Sequence, residues 1–190
     1  MAYAGDWQDY FPYITRPDAT TSIIRGCGGW GYSSYFGAAV VWPIPLADAY
    51  YDGACTGAVF HHPAYRGDGF NNYMLSTSTL AEPAYWDLTT RTGPNQWAPQ
   101  RLPKVQFPAA KAILVEIHPV HDMPYQSHRQ TEGMPPVGMA AVDGSVGRWK
   151  REDLIPGVTS GEGIYDGIYL GQGVFGMHTI NGVLGRDINR

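Results

Sequence analysis

Charge is scarce in this chain. Charged residues make up 16% of the 190, against roughly 25% in ordinary soluble domains. Lys and Arg number 13 against 17 Asp and Glu, for a net charge of −4. No cluster of Lys and Arg tracks a phosphate backbone, which sets nucleic acid aside as a partner. Long apolar runs are missing too. The best candidate, "FGAAVVWPIPLADAY" (36–50), is too short and too broken by proline to span a bilayer. Residues 1–14, "MAYAGDWQDYFPYI", have neither a basic start nor a continuous apolar stretch, so they do not read as a signal peptide. No Gly-x-Ser-x-Gly occurs, and Ser127 and His128 are neighbours only in sequence, so nothing supports nucleophilic catalysis. The Gly-rich "GCGGWGYSSY" (26–35) lacks the Lys-Ser/Thr ending of a phosphate loop. Cysteine is limited to Cys27 and Cys55. In an oxidising compartment they would pair, closing a loop worth about 3–4 kcal/mol by the chain-entropy argument; the other reading is two buried thiols.

Glycine, proline and tyrosine fill the gap, at 24, 15 and 13 residues, and 44% of the chain is hydrophobic. Such a chain folds, as one domain with a real core, and is rich in turns and strands and poor in helix. Low charge with abundant Tyr, Trp and Gly suits an extracytoplasmic surface.

Tyr3, Trp7, Tyr10 and Phe11 lie at helical spacing before Pro12, which predicts the end of a helix over 1–14. "FGAAVVW" (36–42) reads as a strand closed by Pro43, "ADAYYDGAC" (47–55) is ambiguous, and "DGFNNYMLS" (68–76) reads as a strand. Residues 77–102 read as a long polar loop carrying Trp86 and Trp97. "PAAKAILVEIHP" (108–119) is the clearest strand, and 118–137 is a further loop. "VGMAAVDGSVGRW" (137–149) reads as strand, Asp-Gly, strand, the strongest short-range hairpin signal. Asp143-Gly144 is therefore expected as a type I′ turn rather than a reactive carboxylate. Residues 15–154 read as the β-rich head, and 155–190, with nine Gly, as a loose β appendage of the same domain or a surface that packs on a neighbour.

Four segments, in order, resemble the pilin-like proteins of the prepilin-type H-x9-DG family: "MAYAGDWQDYFPYI", "GDGFNNYMLS", "RLPKVQFPAAKAILVEIHP" with Pro108 and Glu116 in matching places, and "GMAAVDGSVGRW". The spacing departs from the family at one point, since fourteen residues (Arg129 to Val142) separate His128 from Asp143 and Gly144. The resemblance implies an α+β pilin-like head, with the end of an N-terminal assembly helix packed on an antiparallel sheet and the apolar half of that helix preceding Met1. It implies a structural protein rather than an enzyme: a filament subunit of an extracytoplasmic type IV pilus or type II secretion pseudopilus. Its partners would be copies of itself or other pilin-like subunits, with the membrane reached only through the missing helix. No cofactor is expected, except that some major pseudopilins hold calcium in a loop near the C-terminus. Here "GEGIYDG" (161–167) offers Glu162 and Asp166 as hard oxygen ligands.

Two further readings stand beside this one. In "EIHPVHDMPYQSH" (116–128), Glu116, His118, His121, Asp122 and His128 have the chemistry of transition-metal ligands, which would suit a metal-dependent enzyme. His118 and His121 nevertheless match no specific metal spacing, and His61-His62 near Asp68 is weaker still. Six Trp and thirteen Tyr could instead form the aromatic platform of a secreted β-rich binding module.

Overall fold

A computed structural model describes residues 8–13, 35–53, 60, 73–116, 136–158 and 175–189. Four strands form one antiparallel meander: β1 (Tyr73–Leu75), β2 (Ala112–Glu116), β3 (Val137–Ala141) and β4 (Val146–Trp149), in that spatial order. The apolar, β-branched run Ile113-Leu114-Val115 makes β2 an interior strand. Register shifts between Ala112 and Leu114, so Ile113 sits in a bulge. Among the described residues the one α-helix is α1 (Ile44–Tyr50), begun by prolines at Pro43 and Pro45. The described part of the chain is thus a four-stranded antiparallel sheet with little helix.

Pairing sorts the strand residues into two faces. Met74, Val115 and Met139 form one row across the sheet, and Trp149 lies on the same face, opposite Val137. All four are buried. This face is covered by Phe175–Met177, whose approach depends on Gly176. Its φ is +72°, and a Cβ there would lie 2.9 Å from Val115 Cγ2 and 3.2 Å from Met139 Cε, so only glycine fits. The other face carries the row Leu75, Leu114, Ala140, Val146. It opens progressively: Leu75 is fully buried, Leu114 and Ala140 are half-buried, and Val146 is 79% exposed.

Four expectations change. Residues 8–13 do not end a helix. Gln8 and Asp9 have φ of +55° and +66°, Tyr10 bridges to Arg101, and Phe11 N–H donates to Gln100 O. Tyr10 and Phe11 anchor the chain to residues 100–102 rather than closing a helical face, while Tyr3 and Trp7 lie outside the described residues. "FGAAVVW" is not a strand either. Tyr35–Ala39 is a buried 3₁₀ helix, its small residues letting one turn pack tightly where Pro43 leaves no length for a ladder.

The third change concerns 77–102. Residues 77–110 contain five single-turn 3₁₀ helices, four of them with proline at the first or second position, around a dense aromatic cluster. Tyr35 stacks on Trp97 at 5.5 Å and 4°, and Phe36 meets Tyr85, Trp86 and Trp97 at 5.3–5.8 Å. The polar run Ser76–Thr79 is fully buried, its hydroxyls satisfied by the chain. Ser76 Oγ donates to Gly176 O at 2.6 Å, Thr77 Oγ1 to Met177 O at 2.7 Å, and Thr79 Oγ1 to Ser76 O at 2.7 Å. Buried hydroxyls with partners cost little, so a polar sequence lies inside. Last, the described parts of 155–190 are no loose appendage. Val158, Phe175, Met177 and Ile188 belong to the main core, and Leu154 bridges to Ile188.

Candidate functional site

The Asp143-Gly144 motif closes the β3–β4 hairpin. Only Gly144 has a positive φ, at +89°. A type I′ turn needs two such residues, so the type I′ expectation is corrected. Val142, Asp143 and Gly144 form a three-residue loop in which Gly144 N–H donates to Ala141 O at 3.0 Å and Ala141 N–H to Ser145 O at 2.8 Å. Gly144 takes the left-handed position of such a loop. Asp143 is exposed, and its Oδ1 accepts Ser145 N–H at 2.9 Å, an Asx turn. The extra loop residue, Val142, is buried against Phe11, Val105 and Val183. Its N–H donates to Lys111 O at 2.9 Å, and Asp143 N–H to Pro108 O at 3.2 Å. The hairpin tip is therefore docked on the segment that leads into β2.

Beside that tip lies a polar cluster absent from the sequence reading. Lys111, Thr179 and Asp187 are all 2% exposed or less. Lys111 Nζ meets Asp187 Oδ2 at 2.7 Å and also donates to Thr179 Oγ1. Thr179 Oγ1 donates to Asp187 Oδ1 at 2.5 Å, and Ala112 N–H to Asp187 Oδ2 at 2.9 Å. Burial pulls the Lys111 amine below its ordinary range, with the Asp187 charge and hydrogen bond opposing. The backbone pins the pair as well, since Asp187 N–H and Ile188 N–H both donate to Ala110 O. Next to Thr179, His178 is fully buried and stacked on Trp86 at 5.7 Å. Desolvation, aided by Arg91 and opposed by a backbone hydrogen bond with Val158, pushes its imidazole down to about 4. The available signals were thin: a lone lysine inside "PAAKAILV", and an acid in the Gly-rich tail.

The open end of the second sheet face forms a groove of about 390 Å³, floored by Leu114, Ala140 and Val146 and walled by Trp42 and Tyr73. Glu116 and Arg148 stand at its polar end. Glu116 is nearly buried, and its Oε2 accepts Gly138 N–H at 3.0 Å. It fills the space a β-carbon on Gly138 would take, since that atom would lie 2.8 Å from Oε2. Arg148 Nη2 donates to Pro136 O at 3.1 Å, and Trp42 Nε1 to Tyr73 O at 2.9 Å. The groove offers an apolar floor with one acid and one base among its lining residues.

Of the sequence candidates, Asp143, Gly144 and Glu116 fall on described residues, and Glu116 is separated from the Asp143 turn by the length of the hairpin. His118, His121, Asp122, His128, Glu162, Asp166, Cys27, Cys55, His61, His62 and Asp68 lie outside the described residues. Among the described residues, no three of His, Cys, Asp and Glu come together to hold a metal ion, and no helix is long and apolar enough to cross a membrane. Compared with known proteins, the chain matches no family model, no curated protein and no solved structure.

Proposed function

We infer that this chain is a structural subunit of an extracytoplasmic filament of the type IV pilus or type II secretion pseudopilus kind, a pilin-like head working by self-association and not by catalysis. The observation that carries the reading is the sheet face that opens from buried Leu75 to exposed Val146. An apolar row flanked by Trp42 and Tyr73 is the surface on which an assembly helix or a neighbouring subunit gains most by burial. The segments that resemble the pilin-like family also lend support. Where they fall on described residues, three of them supply adjacent strands of one sheet: β1, β2 and the β3–β4 hairpin.

The test uses an antibody to the folded domain on cells that express the protein. The chain should appear in the sheared surface fraction as high-mass polymer, and Val146→Glu should abolish that polymer without moving the melting temperature of the purified chain. Recovery only as a cytosolic monomer would overturn the reading.

A further inference from the structure

The Lys111–Thr179–Asp187 cluster holds more than an ion pair needs. It places an amine, a carboxyl carbon, a proton-carrying hydroxyl and a fixed backbone donor together where solvent does not reach. We propose that Lys111 and Asp187 condense, once the chain has folded, into an intramolecular amide between Nζ and Cγ. This goes beyond the filament reading and does not depend on it.

Each group has a defined part. Lys111 Nζ lies 2.7 Å from Asp187 Oδ2, which puts it beside Cγ, and the backbone bonds at Ala110 hold the two residues in place. Thr179 Oγ1 accepts from Nζ and donates to Oδ1 at 2.5 Å, so it spans the gap between the two atoms that exchange protons. One proton passes from the ammonium through the Thr179 hydroxyl to Oδ1, leaving a neutral amine and a carboxylic acid. Nζ then attacks Cγ, and the charge that develops on Oδ2 is met by Ala112 N–H, already 2.9 Å away. A second proton takes the same path. The Cγ–Oδ1 bond breaks, Oδ1 departs as water, and Oδ2 becomes the amide oxygen. Two of the three ammonium protons leave in the water and one stays on the amide nitrogen, so atoms and charge balance with no oxidant or activating cofactor. Burial favours both ends of the process. It penalises the ammonium that would block attack, and the amide replaces two buried charges whose desolvation is costly.

The experiment is the intact mass of the purified, folded chain, followed by digestion and sequencing of any branched peptide. The expected result is a mass lower by one water, with that loss mapped to a peptide joining Lys111 to Asp187. An unchanged mass overturns the proposal. So does a water lost elsewhere, for example as a cyclic imide at Asp143-Gly144. Lys111→Met must show the full mass; if it also loses water, the proposal fails. Thr179→Val keeps the side-chain shape and removes the relay. Confirmed as folded by its melting transition, it should form the bond about 100-fold more slowly, and equal rates would overturn the role given to the hydroxyl.

Discussion

The β2–β3–β4 sheet and the turn-built region 77–110 both supply residues to the main core but are opposite in construction. The sheet is held by a repeating ladder, and its side chains follow a period of two. The turn-built region repeats nothing. Its five short 3₁₀ turns are each too brief to be stable alone, and they are fixed by what they enclose: Trp86, Tyr85 and the buried hydroxyls of Ser76–Thr79. Regular structure can be weakened residue by residue along its length, whereas a region fixed by its contents should fail when one large content is removed.

The sharpest way to break that contrast is Trp86→Ala. Trp86 is fully buried against Phe36, Tyr85 and His178, and its removal should cost about 3–5 kcal/mol in denaturant unfolding. A loss below about 1 kcal/mol would mean that 77–110 is a covering loop and not a second core.

Acid comes next. His178 has a folded value of about 4, below the 6.5 of the unfolded chain. The unfolded state therefore takes up the proton first, so this contribution is complete above pH 6.5 and lost as pH falls toward 4. The loss should be on the order of 3 kcal/mol. His178→Phe should flatten the stability profile across that window; an unchanged slope would assign the acid sensitivity to other groups.

A smaller effect is expected at the hairpin tip. Asp143→Ala removes the acceptor for Ser145 N–H and should lower stability by about 1 kcal/mol. A folded variant with unchanged melting would show that Val142 alone, packed against Phe11 and Val183, sets the loop. The smallest effect belongs to Val146→Thr. With Val146 79% exposed, unfolding should shift by no more than about 0.5 kcal/mol, and a larger loss would place Val146 under cover.

The hairpin and β2 were legible in the sequence because their signals are local. Asp143-Gly144 between two short apolar runs specifies a reversal, and Ile113-Leu114-Val115 specifies an interior strand. What misled was local as well. Tyr10 and Phe11 at helical spacing serve an anchor on residues 100–102, and "FGAAVVW" has strand composition but coils into a single turn. Thr77 and Ser78 looked like the start of a solvent-facing loop because their partner Met177, like the Gly176 that holds Ser76, lies about a hundred residues further on.

By itself the sequence determined a turn-rich, low-charge domain, the reversal of the chain at Asp143-Gly144, and the strands that flank it and form β2. Backbone conformational preference and side-chain alternation act over a few residues, and that is the range a sequence displays openly. Only the tertiary structure decided which face of the sheet stays open, that a polar run lies inside, and that Lys111 meets Asp187 and Thr179. Each depends on close approach between residues far apart along the chain, where desolvation and partner geometry set the energy and local pattern carries no record of the partner.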